Sequence, residues 1–188
     1  FVLVSACVYV PQLREATSSR PFSLASVVLT VISLLLLISN GFVRSHGFQR
    51  AVQLCVVISI TCLVIVGAHT VNSKLTVLGA LVLASIILAG AATFGKRHKG
   101  DLTKLLFPAF IGLLTLLIAG VLNVALLKSS MVETGLSALG IVLFVCIAAM
   151  DANVYSKRPE LCRYNCCEEG TFSMFINFSN IVMDLMNL

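Results

Sequence analysis

Asp184 is the fourteenth residue of the apolar run Thr171 to Leu188, and Asp151 closes another such run, Thr134 to Met150. An ionised carboxylate in the middle of a membrane-length apolar helix costs about 2.5 to 3.5 kcal/mol on insertion scales, so a functional role is the default for Asp184. Asp151, at a helix end, also suits a plain interfacial position. If both faced a common interior, the two carboxyls would resist ionising together and tend to share one proton, which makes such a pair responsive to pH. Freed of that proton, their oxygens suit a transient calcium ion, a hard cation that takes oxygen ligands. Asn177, Asn180 and Asn187 place further carbonyl oxygens on the helix of Asp184; their other use is as hydrogen-bonding glue between helices. Arg44 and Arg50 flank a short turn and supply counter-charge, although Arg44 can equally snorkel to the headgroups.

Other chemistries fit less well. The histidines, His46, His69 and His98, stand one per loop on two sides of the apolar runs, so no two can share a nucleophilic site. Gly90-Ala-Ala-Thr-Phe-Gly95-Lys96 begins like a phosphate-binding loop, but Arg97 stands where Ser or Thr is required and no strand precedes it. Cys162, Cys166 and Cys167 match no common zinc spacing; reduced thiols are the first reading, lipid acylation the second and a metal site the third. Asn177-Phe-Ser179 is a glycosylation sequon only formally, because it lies inside an apolar run. The expectation is a protein that is not an enzyme and has no resident cofactor.

The elements that must position these groups are membrane spans. Only 11% of the 188 residues are charged, against about 25% in soluble domains, too few to coat a water-soluble surface. That excludes a soluble enzyme, a disordered region and a nucleic-acid module. Phe22 to Val43, Ala51 to Ala68, Leu75 to Gly95, Leu105 to Leu127 and Thr134 to Met150 are charge-free and long enough for a hydrocarbon core about 30 Å thick. Thr171 to Leu188 is a sixth, more polar run, and Phe1 to Val10 reads as the tail of a first helix. Pro108 falls in a first helical turn, while Pro11, Pro21 and Pro159 are expected in loops. Seven cysteines, an odd number with three inside apolar runs, imply no disulfide framework.

The spacing therefore predicts an all-α, polytopic bundle of seven transmembrane helices in a single domain, 1–188. Its helices are expected near 1–10 (partial), 22–43, 51–68, 75–95, 105–127, 132–150 and 171–188. Nine Lys and Arg residues fall in loops 44–50, 96–104 and 151–170, against four in the loops of the other side, so the first set is expected in the cytoplasm.

The ordered motifs resemble the transmembrane Bax inhibitor motif family. Gly140-Ile-Val-Leu-Phe-Val-Cys-Ile-Ala-Ala-Met-Asp151-Ala-Asn153 is similar to its sixth helix, Asn180-Ile-Val-Met-Asp184-Leu-Met-Asn187-Leu188 to its seventh, and Lys99-Gly-Asp101-Leu-Thr-Lys104-Leu to the basic loop before the fifth. Met150 and Val182 stand where the family has Tyr, and Glu168-Glu169-Gly170 is what remains of a Glu-Glu-Tyr, which points to a divergent member of the kind carried by large DNA viruses.

The resemblance implies a calcium leak in endoplasmic reticulum or Golgi membranes that dampens cell death, with Asp151 and Asp184 as a proton-sensitive gating pair and, by position, Arg44 as a latch. The partners expected are the lipid bilayer, calcium as the transported ion, and apoptosis-regulating or other host membrane proteins. Two rivals remain open. A non-conducting protein that binds and retains host membrane proteins, in these or the plasma membrane, needs no flux. A proton-coupled transporter predicts paired broken helices, and the runs show no such pair.

Overall fold

The computed structural model describes residues 4, 7, 9–40, 46–71, 73–157 and 166–188. Arg44, Pro159 and Cys162 lie outside the described residues. The elements are α1 (Pro11–Thr17), α2 (Arg20–Asn40), α3 (His46–Thr70), α4 (Lys74–Arg97), a 3-10 turn (Leu102–Leu105), α5 (Leu106–Leu122), a π turn (Asn123–Leu127), α6 (Ser130–Lys157) and α7 (Cys166–Met186). Among the described residues there is no strand.

Among the described residues four stretches are long and apolar enough to cross a membrane: Gly47–His69, Lys74–Arg97, Leu102–Leu127 and Ser130–Lys157; Arg20–Ser33 is a shorter apolar helix. Between 6% and 33% of their most apolar windows is buried, the pattern expected of helices whose outer faces meet lipid instead of water. α5 is the extreme case, with Phe107, Phe110, Leu114, Leu117 and Val121 all exposed.

Several boundaries differ from the sequence expectation. Pro11 and Pro21 are not in loops: they are the first and second residues of α1 and α2, where an absent N–H removes no helical hydrogen bond. Asp151 does not close its helix, because α6 continues six residues further to Lys157. α7 begins at Cys166, ahead of the apolar run, and the long 105–127 span is divided between α5 and the π turn. The π turn ends at Lys128 with φ 49°, and the Asn123 side chain bridges the bend, accepting from Ser129 N at 3.1 Å and donating to Ser129 O at 3.2 Å.

The chain forms two compact units, 1–79 and 80–188. In the first, α2 and α3 pack side by side around a polar rung. The Ser33 and Ser59 hydroxyls lie 2.6 Å apart, and Ser59 donates to Cys55 O at 2.6 Å, so two hydroxyls in apolar surroundings satisfy each other. α1 is tied to the end of α3 by Thr17 Oγ1 and His69 Nε2, 2.6 Å apart.

In the second unit α6 packs against α5 on one side and along α7 on another. Ala91 of α4 joins Ala148 and Ala149 of α6 in a small buried cluster closed by Leu88, Val145 and Met174. Small residues let these backbones approach: a Cβ on Gly95 would overlap the Ala149 carbonyl.

Candidate functional site

α6 and α7 run antiparallel, and their seam carries both aspartates. Toward one end, Asp151 Oδ2 accepts hydrogen bonds from the Ser173 hydroxyl and, at 3.3 Å, from Asn177 Nδ2. Ser173 and Asn177 are one turn apart on α7, so both donors reach the same oxygen. Asn177 is only 3% exposed, and as a donor across the seam it is the interhelical glue that its residue type allows.

Asp184 meets α6 at another level. It lies against Gly140, where an added Cβ would overlap its carboxylate. Gly140 and Asp151 are eleven residues apart on one helix, about 16 Å at 1.5 Å per residue. Asp151 and Asp184 are thus not a hydrogen-bonded pair here, because the antiparallel register sets Asp184 beside Gly140 and gives Asp151 the Ser173 and Asn177 partners instead. Between the two levels Ala148 and Ile181 are fully buried, which closes the seam.

The Asp184 side chain is half-buried, and its buried Oδ2 accepts no hydrogen bond from any described residue. It borders a cleft of about 530 Å³ between α5, α6 and α7, whose other wall residues include Leu113, Leu117, Asn123, Glu133 and Phe144. Glu133 is in the first turn of α6 and Gly140 nearer its middle, so the cleft reaches from one end of α6 toward the centre of the helix. No basic side chain among the described residues lines it. Among the described residues no three His, Cys, Asp or Glu side chains gather to hold a metal ion.

Of the remaining candidates, Asn180 is half-buried on α7 and Asn187 is exposed beyond its end. Arg44 is outside the described residues. Arg50 lies in α3, in the other compact unit.

One polar residue matters more than its place in the motif indicated. Asn153 is fully buried; its Nδ2 donates to Gly95 O at 2.9 Å and His98 O at 3.0 Å, and its Oδ1 accepts from Leu102 N at 3.3 Å. It caps the end of α4 and orders the loop into the 3-10 turn, which Asp101 caps through Thr103 N at 2.9 Å. Lys157 Nζ donates to the Lys99 carbonyl at 3.1 Å and to the Gly100 carbonyl. The signal in the sequence was an Asn beside Asp151 at the end of an apolar run; its partners stand more than fifty residues away.

The whole chain, residues 1–188, matches the sequence model of a family described as inhibitor of apoptosis-promoting Bax1. No curated protein matches it.

Proposed function

The chain belongs to the Bax inhibitor family, a multi-pass membrane protein in view of the four long apolar helices among its described residues, and we propose that it is a pH-sensitive calcium leak that restrains apoptosis by lowering calcium stores in the endoplasmic reticulum or Golgi. The observation that carries this reading is the Asp184 carboxylate, with a buried oxygen that accepts no hydrogen bond from any described residue, on an acidic cleft that runs toward the middle of α6. A carboxylate at that depth is expensive unless a proton or a cation accompanies it. Calcium entering past Glu133 would meet Asp184 as its oxygen ligand, and protons compete for the same oxygens. A site with few protein ligands suits passage, since an ion that is held weakly can leave.

The closed seam between the two carboxyl levels is then the gate, and the grip of Ser173 and Asn177 on Asp151 is its catch. Opening requires α6 and α7 to separate at Asp151, toward the side that the Lys and Arg count assigns to the cytoplasm. Calcium is cargo in this scheme, and Arg44, by resemblance the latch, is a further brake.

The test is calcium flux from liposomes holding the full-length protein, at roughly pH 5 to 8 where perturbed carboxyls respond, for wild type, Asp151→Asn and Asp184→Asn. Flux that varies with pH, falls in Asp184→Asn and loses its pH response in Asp151→Asn is the expected result. No flux above empty liposomes, with the protein monodisperse, rejects the leak and leaves the non-conducting reading, in which the protein binds host membrane proteins.

A further inference from the structure

A second crevice, of about 680 Å³, lies between α4, α6 and α7 on a different face of the unit from the aspartate cleft. One end is polar, formed by Lys96, Tyr155 and Thr171; the other is mainly apolar, formed by Leu88, Met174 and Phe178, with the Ser85 hydroxyl donating to the Leu81 carbonyl of its own helix at 2.8 Å. Lys96 and Leu88 are eight residues apart on α4, as Gly170 and Phe178 are on α7. Each interval spans about 12 Å along its helix, so polarity grades over the same depth on both walls. Ala89, Ala92 and Ala152 supply small walls that leave the space open.

Two of the wall helices, α4 and α6, are long and apolar enough to cross a membrane, which sets the apolar end of this crevice at hydrocarbon depth, where lipid is the solvent. The polar end lies beside the most basic loop of the chain, Lys96 to Lys104, with Arg97 and Lys99 exposed on it. None of the described residues that line the crevice is acidic. Cytoplasmic leaflets carry anionic lipid, and basic pockets between transmembrane helices on that side hold anionic headgroups. We propose that this crevice is a binding site for one anionic phospholipid of the bilayer, with its phosphate at Lys96, its headgroup among the hydroxyls of Tyr155 and Thr171, and an acyl chain along Leu88, Met174 and Phe178.

The site is independent of the leak, since neither aspartate lines it. The experiment uses the full-length protein in nanodiscs of phosphatidylcholine doped with phosphatidylserine or, separately, with further phosphatidylcholine, each dopant bearing a photoreactive acyl chain. Labelled peptides are then mapped by mass spectrometry. The expected label falls on 88–96 and 170–178, with phosphatidylserine favoured. Lys96→Gln, an exposed position, lowers that preference about fivefold, the effect of one lysine at an anionic surface, while Lys104→Gln, also exposed but outside the crevice, leaves it unchanged. Ala92→Phe removes the label from these segments for both lipids. Label scattered over the lipid-facing helices, equal labelling by the two lipids, or equal losses in Lys96→Gln and Lys104→Gln would each overturn the proposal.

Discussion

Gly140 owes its place to Asp184. With no Cβ it lets the carboxylate lie against α6, so Gly140→Ala should destabilise the protein by about 1–3 kcal/mol, as overpacking does. The same substitution should cost much less in an Asp184→Ala background, a non-additivity that thermal unfolding of the four proteins in detergent would reveal. Asn153 is the other exacting position. Asn153→Ala strands two carbonyls and an amide at about 1–3 kcal/mol for each buried group left unpaired, and should make the chain susceptible to trypsin at Lys99. An unchanged melting temperature and digestion pattern would refute the capping role. The depth of Asp184 was legible from its position in an apolar run. Its partner was not, because apolar helices pack in many registers, and the level at which two carboxyls stand depends on where each helix begins. Nor was the Asn153 cap legible, since nothing local marks an acceptor more than fifty residues away.

At the level of the helices, the polar rung between α2 and α3 is the clearest energetic claim. Hydrogen bonds between membrane helices average about 0.6 kcal/mol by double-mutant cycles, so Ser33→Ala and Ser59→Ala should couple by about that amount in unfolding measurements. Additive effects would mean that the rung does not act as a pair. The bend after α5 makes a different prediction. Lys128 holds φ 49°, a conformation that disfavours side-chain-bearing residues by about 1–2 kcal/mol, so Lys128→Gly should raise the melting temperature, where a helical position would lower it. Helix existence was readable from hydrophobic run length. Helix ends were less so: Asp151 looked terminal because the apolar run stops at Met150, yet the helix continues because Asn153 and Lys157 spend their polar groups on loop carbonyls rather than on water.

For the whole molecule, scarcity of charge and the length of the runs were enough to read the all-helical fold that the described residues show, with helices long and apolar enough to cross a membrane, and three ordered motifs pointed to the family that the full-length match shows. What composition could not convey is that the two aspartates occupy separate levels of one seam. That separation carries a functional prediction of its own. If Asp184 is the ion contact and Asp151 the catch, Asp184→Asn should reduce flux at every pH, whereas Ser173→Ala, which removes a donor to Asp151 alone, should raise flux with the Asp184 contact intact. Equal losses in both variants would return the two carboxyls to a single shared role.

Asp151 and Asn153 are two residues apart on α6, the one gripping α7 and the other gripping the 98–102 loop. Rotation of this helical end that frees the first side chain must pull on the second, so an event within the bilayer acquires a mechanical readout in water. If the proposed leak opens at this seam, a fluorophore attached at residue 103, one position past that grip, would report each opening as it happened, without any ion being measured.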